Sequence, residues 1–158
     1  MVWTVETIMP ECRLSRRPVR HSRQRRPLVN ICHIITRMII GGAQENTLLS
    51  CRGLAQRGHR VTLITGPTEG PEGRLLETME ADSFRVVEIS DLVRPLHPAI
   101  DLSGYRGLCR LLSKERFDVV HTHSSKAGVL GRFAAWRSKV PVVVHTIHGQ
   151  AFHPYQSG

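Results

Sequence analysis

The strongest constraint on this chain is that short apolar runs of strand length alternate with segments of helical periodicity, five runs in all. Leu28 to Ile35 opens the series, followed by Val61–Thr65, Arg85–Ile89, Phe117–Thr122 and Val140–Ile147. Between the first two, Leu48, Cys51, Leu54 and Ala55 recur near helical spacing within 43–56, and Gly58 follows where a left-handed helix stop is expected. A glutamate-rich helix is expected over 71–81, with Pro71 in its first turn. After a loop over 90–99, Asp101 or Ser103 is placed to cap a helix reaching Glu115, and Ser124 or Ser125 to open one reaching Ser138. Parallel neighbours need crossover connections, so this order predicts an α/β fold: a Rossmann-like parallel sheet with helices on both faces. Ligands of such sheets gather at the carboxyl ends of the strands.

The first such end carries Gly41-Gly42-Ala43-Gln44. Two glycines at a helix start either serve a tight turn or leave backbone N–H groups open to a diphosphate, where the helix dipole favours negative charge. The run matches neither the dinucleotide fingerprint nor the P-loop, which argues against an oxidoreductase domain or a P-loop nucleotidase. The fourth end carries His121-Thr122-His123-Ser124-Ser125-Lys126-Ala127-Gly128. Strand alternation puts His121 and His123 on one side. A zinc reading would recruit His145 or His148 as third ligand, but no carboxylate or thiolate stands at ligand spacing, so no metal is expected. His121 reads as structural, while His123, Ser124 and Lys126 sit where a polar ligand could be held. The fifth end delivers His148-Gly149, an imidazole beside backbone that permits close approach.

Charge is unevenly placed. The formal net is +9, and residues 1–27 hold seven arginines against Glu6 and Glu11, a local +5. That segment reads as a disordered basic tail. What remains is too modest to indicate nucleic-acid binding, and none is expected. Arg106, Arg110 and Lys114 recur every four residues, a face that suits either solvent or an anionic membrane. No apolar run approaches the length of about 18 residues that a membrane helix needs. The four cysteines form no close pair, which suits buried free thiols in a reducing cytoplasm.

Taken in order, three motifs resemble the family-4 retaining glycosyltransferases of the GT-B fold. They are Gly41 to Gln44 with Leu54-Ala55-Gln56-Arg57-Gly58-His59-Arg60-Val61; His121 to Gly128 with Gly131-Arg132; and Val144-His145-Thr146-Ile147-His148-Gly149. The similarity covers 28 to about 155, and the Ser-Lys-Ala-Gly stretch is most like members building lipid-linked or exported polysaccharides. The resemblance implies a hexosyltransferase N-terminal, acceptor-side domain over 28–158. It would serve transfer from a nucleotide-diphosphate sugar to a lipid-linked or polysaccharide acceptor, with no cofactor and no obligatory metal. His148 and His123 would be the catalytic pair, Gly41 and Gly42 would approach the donor diphosphate, and Ser124, Lys126 and Gly149 would line the cleft. Members carry a second domain that grips the nucleotide, and its motifs do not occur in these residues. The expectation is therefore an incomplete enzyme, inactive alone and cytoplasmic or peripheral at the inner membrane face, or else one half of a split enzyme whose partner subunit carries the C-terminal domain. The alternative is a non-catalytic module binding a saccharide or lipid acceptor.

Overall fold

The computed structural model describes residues 28–68, 76 and 83–149. Five parallel strands form one sheet: β1 (Asn30–Ile34), β2 (Arg60–Thr65), β3 (Arg85–Glu88), β4 (Val119–His123) and β5 (Val142–Thr146), in the order β3-β2-β1-β4-β5. The described helices are α1 (Gly42–Gln56), α2 (Pro98–Glu115) and α3 (Ser125–Arg137). The chain thus winds outward from β1 to one edge, crosses back, and continues from β4 to the other. That reversal beside β1 is where a crevice must open, because the connections leaving β1 and β4 diverge. The expected helix over 71–81 lies outside the described residues except for Leu76, which is helical. The basic tail over 1–27 lies outside them too.

Alternation along the strands sorts the core into two layers. Ile35, Met38, Leu48, Cys51, Val61 and Leu63 pack together on the α1 face. Cys32, Ile34, Ile64, Val120, Leu108, Leu112 and Ala134 pack on the opposite face, under α2 and α3. Each fully buried Leu or Ile contributes roughly 1.5–3 kcal/mol, and both layers meet at β1, whose residues after Asn30 are all buried. Burial pushes the Cys51 thiol up to about 12 and raises Cys32 well above its ordinary value, so both behave as small apolar side chains.

Several boundaries differ from expectation for local reasons. Helix α2 begins at Pro98, not at Asp101 or Ser103. Proline suits the first helical position, and Asp101 acts from inside the helix, its Oδ2 accepting the backbone N–H of His97 at 3.2 Å. Gly58 is the predicted stop, with φ of +87°. Strand β5 ends at Thr146, which leaves Ile147 and His148 beyond the ladder.

Candidate functional site

Parity decides which side chains meet. His33 lies opposite His121 in the β1–β4 register, and His123 follows two residues on, so all three project from the α1 face of the sheet. Nδ1 of His33 stands 3.0 Å from Nε2 of His123, and Nδ1 of His123 stands 2.9 Å from Nε2 of His148. His121 instead bonds Thr146 Oγ1 through Nε2 at 2.7 Å. His33 and His123 are each 1% exposed, whereas His148 lies at the surface. A row of imidazoles therefore runs from the core outward.

Burial is the main force on these groups, since a charged imidazole loses its hydration there. It pulls His33 down to about 4, helped by the nearby His121, and His123 down to about 3, helped by His121, His33, His148 and His145. His121 and His148 are lowered as well, again mainly by burial. The row is neutral near pH 7. The ligand atoms of His33, His121 and His123 lie within 4.8 Å of one another, close enough for a small cation, but the group includes no carboxylate or thiolate. Had a metal been held, its third ligand would be His33, not His145 or His148 as the spacing suggested. His145 faces the other side of the sheet, bonded through Nδ1 to Thr122 Oγ1 at 3.0 Å.

Beside the row lies a cleft of about 590 Å³ at the carboxyl ends of β1 and β4. Ile35, Leu96, Val129 and Leu130 give it apolar walls, and Arg37, Gln44, Arg94 and Ser124 give it polar ones. Its floor is strained. Ser124 has φ 62° and ψ 162°, a region usually left to glycine that costs on the order of 1–3 kcal/mol. Thr36 holds it there: its hydroxyl shares a hydrogen bond with Ser124 Oγ at 2.8 Å and accepts the N–H of Ala127 at 3.3 Å. The loop after β1 thus caps α3, which opens at Ser125 after Ser124, where the sequence placed its start.

The expected site residues are distributed unequally. Ser124 and Lys126 line the cleft, but the Lys126 ammonium is held by Asp101 and by the Pro95 carbonyl, a clamp between α3 and the start of α2. That contact also holds the Asp101 carboxyl below its usual range. Gly41 and Gly42 start α1, whose Gln44 reaches the cleft. A methyl group at Gly42 would meet nothing within 4 Å, so no contact within the described chain demands glycine there. His123 and His148 meet each other beside the cleft and are not part of its wall; Gly149 lies exposed beyond them. His33, Arg94 and Thr36 were missed. The one available signal for His33 was its parity with the other histidines, and that acquires meaning only once β1 is known to neighbour β4.

Comparison with known proteins gives a consistent picture. The profile of the family described as "Glycosyl transferase 4-like domain" matches residues 41–158. A UDP-Gal:alpha-D-GlcNAc-diphosphoundecaprenol alpha-1,3-galactosyltransferase of Escherichia coli is 36% identical over 124 residues, covering 78% of this chain and 31% of that protein. Among solved structures, a glycosyltransferase from Rickettsia africae superposes with a TM-score of 0.60 at 18% identity, over 81% of this chain and 32% of that one. MurG of Acinetobacter baumannii superposes with a TM-score of 0.57 at 21% identity, over 78% and 37%. At such identities the structures speak for the fold alone. The chain spans about a third of the length of these relatives.

Proposed function

Since this chain belongs to the glycosyl transferase 4-like domain family, we propose that it forms the acceptor-side half of a retaining hexosyltransferase and receives a lipid-linked sugar diphosphate in the cleft beside β1 and β4. The carrying observation is the cleft's amphipathic lining. Apolar Ile35, Leu96, Val129 and Leu130 suit the first isoprene units of a lipid, and the Arg94 guanidinium suits the phosphates. The galactosyltransferase relative bears an acceptor of that kind in its name.

In the proposed reaction an acceptor hydroxyl oxygen bonds to the anomeric carbon of a nucleotide-activated sugar. The bond from that carbon to the diphosphate breaks, and the hydroxyl proton leaves with the diphosphate. Stabilising the departing charge is the main demand. The N–H groups opening α1 at Gly41 and Gly42 suit it, with a second, nucleotide-gripping domain supplying further donors. Neutral His148 hydrogen-bonds a sugar hydroxyl without adding charge. The setting is the inner face of the cytoplasmic membrane, with exposed Arg106, Arg110 and Lys114 of α2 toward anionic lipid. No described helix is long and apolar enough to cross a membrane.

Titration with a short-chain polyprenyl-diphosphate sugar, followed by amide shifts, tests the acceptor reading. Shifts are expected at Ile35, Val129 and Leu130, with affinity reduced about tenfold by Arg94→Ala, equivalent to one charge-assisted hydrogen bond. Shifts scattered away from the cleft would remove the proposal. No turnover is expected from these residues alone with any sugar nucleotide.

Gly42→Ala separates the two readings of the glycine pair. Its stability is expected to stay within about 0.5 kcal/mol of the parent, because the added methyl meets open space at a helix start. Sugar-nucleotide affinity of the transferase carrying this domain should fall. A thermal melt and a donor KM measured together distinguish a turn glycine from a ligand-facing one.

A further inference from the structure

The histidine row has a direction, and its buried end sets it. Each link joins one ring nitrogen that carries a proton to one that does not. For three neutral imidazoles only two arrangements keep both links. In one, protons point outward: His33 Nδ1–H donates to His123 Nε2, and His123 Nδ1–H donates to His148 Nε2. In the other they point inward, and His33 must then carry its proton on Nε2. That atom is fully buried and has no hydrogen-bond partner among the described residues. An orphaned buried N–H is the rarer and costlier defect, whereas an unprotonated nitrogen leaves only an unused lone pair. The outer end is indifferent, because His148 is exposed and water can satisfy its Nδ1 whether or not it carries a proton.

We propose that His33 is a positioning residue that polarises the row outward, so that His148 meets its ligand as an N–H donor and not as a base. In the outward arrangement the His148 Nε2 lone pair is occupied by the proton of His123, and the remaining nitrogen, Nδ1, carries hydrogen. His148 then has no free lone pair with which to accept the acceptor's hydroxyl proton. What it offers is one donor to an oxygen, whether a sugar hydroxyl or a phosphate oxygen. His123 transmits the arrangement and is too deeply buried to touch the ligand itself. The part concerning the ligand rests on the proposed transferase reading; the direction of the row does not.

Long-range proton–nitrogen correlation spectra of the 158-residue chain at pH 7.5 read the protonated nitrogen of each ring directly. The expected result is Nδ1–H in His33, His123 and His148, against the Nε2–H form that a free histidine prefers. His33→Asn, whose amide can place an N–H near the former Nδ1, should leave His123 and His148 unchanged. His33→Asp, whose carboxylate accepts and does not donate, should turn His123 to Nε2–H. A proton on Nε2 of His123 or His148 in the parent overturns the proposal, as does a folded His33→Asp variant with unaltered tautomers. Should His33→Asp fail to fold, the parent spectrum alone decides. None of these readouts requires turnover, so failure of the acceptor titration leaves them standing, and the reverse.

Discussion

Gly66→Ala is expected to abolish folding or to cost more than about 3 kcal/mol, beyond what ordinary overpacking produces. Gly66 follows the last residue of β2, where the chain passes between the loop after β1 and the turn after β3. Its N–H donates to Thr36 O at 3.0 Å. A Cβ there would lie 1.9 Å from Leu92 O and 2.7 Å from Thr36 O. Both are backbone atoms, so no side chain can rotate away. Relief would require moving Leu92 out of the core or displacing Thr36, and Thr36 holds strained Ser124. Denaturant titration against Gly42→Ala as control checks the expectation. A Gly66→Ala midpoint near the parent's would mean that the β2 exit is far more yielding than its packing implies.

Acidification is the second large effect, and its sign follows from the buried imidazoles. His33 and His123 sit at about 4 and about 3 in the folded chain, against 6.5 when exposed. Below pH 6.5 the unfolded chain takes up protons that the folded chain refuses, so stability is full above that pH and drains away as pH falls toward the folded values. By pH 4.5 each histidine should have cost roughly 2–3 kcal/mol, a large share of a small domain's total. Repulsion from His121, His148 and His145 is already part of these shifts. Carboxylates such as Asp101 act lower, below about pH 4, so the window between pH 6.5 and 4.5 belongs to the row. Urea melts at pH 7.5, 5.5 and 4.5 should show a steep decline. A profile that is flat to pH 5 would mean that His33 and His123 protonate without unfolding the chain.

What was legible in the sequence was whatever repeats at short range. Alternation placed His121 and His123 on one side, helical spacing placed Leu48 and Cys51 inward, and Gly58 marked a helix end. The motif order also led correctly to the transferase family. Properties set by neighbours in space stayed hidden. His33 looked like one more residue of an apolar strand because nothing local says that β1 lies beside β4 in a register pairing it with His121. The ion pair of Lys126 stayed hidden, since its partner Asp101 comes from a different helix. The opening of α3 at Ser124 or Ser125 was legible, but not that the hydroxyl bonding its first turn comes from Thr36, 88 residues earlier than Ser124. His148 alone was placed at the surface by a signal that distance along the chain could carry, the glycine that follows it.

The cleft also has a hidden back wall. The residues of α3 that line it, Ser125, Lys126, Val129 and Leu130, ride on a helix whose opposite side rests on the sheet through Gly128 and Gly131. A Cβ on Gly128 would stand 2.5 Å from Cε1 of His145, and one on Gly131 would stand 2.8 Å from Cγ2 of Thr122. Helix height above the sheet, and with it the depth available to a ligand, is therefore set by the bulk of residues that no ligand touches. Positions 128 and 145 behave as a single shim. Thickening one while thinning the other would hold the aperture constant, and changing either alone would raise or lower it, which makes this pair an adjusting screw for the size of group the cleft admits.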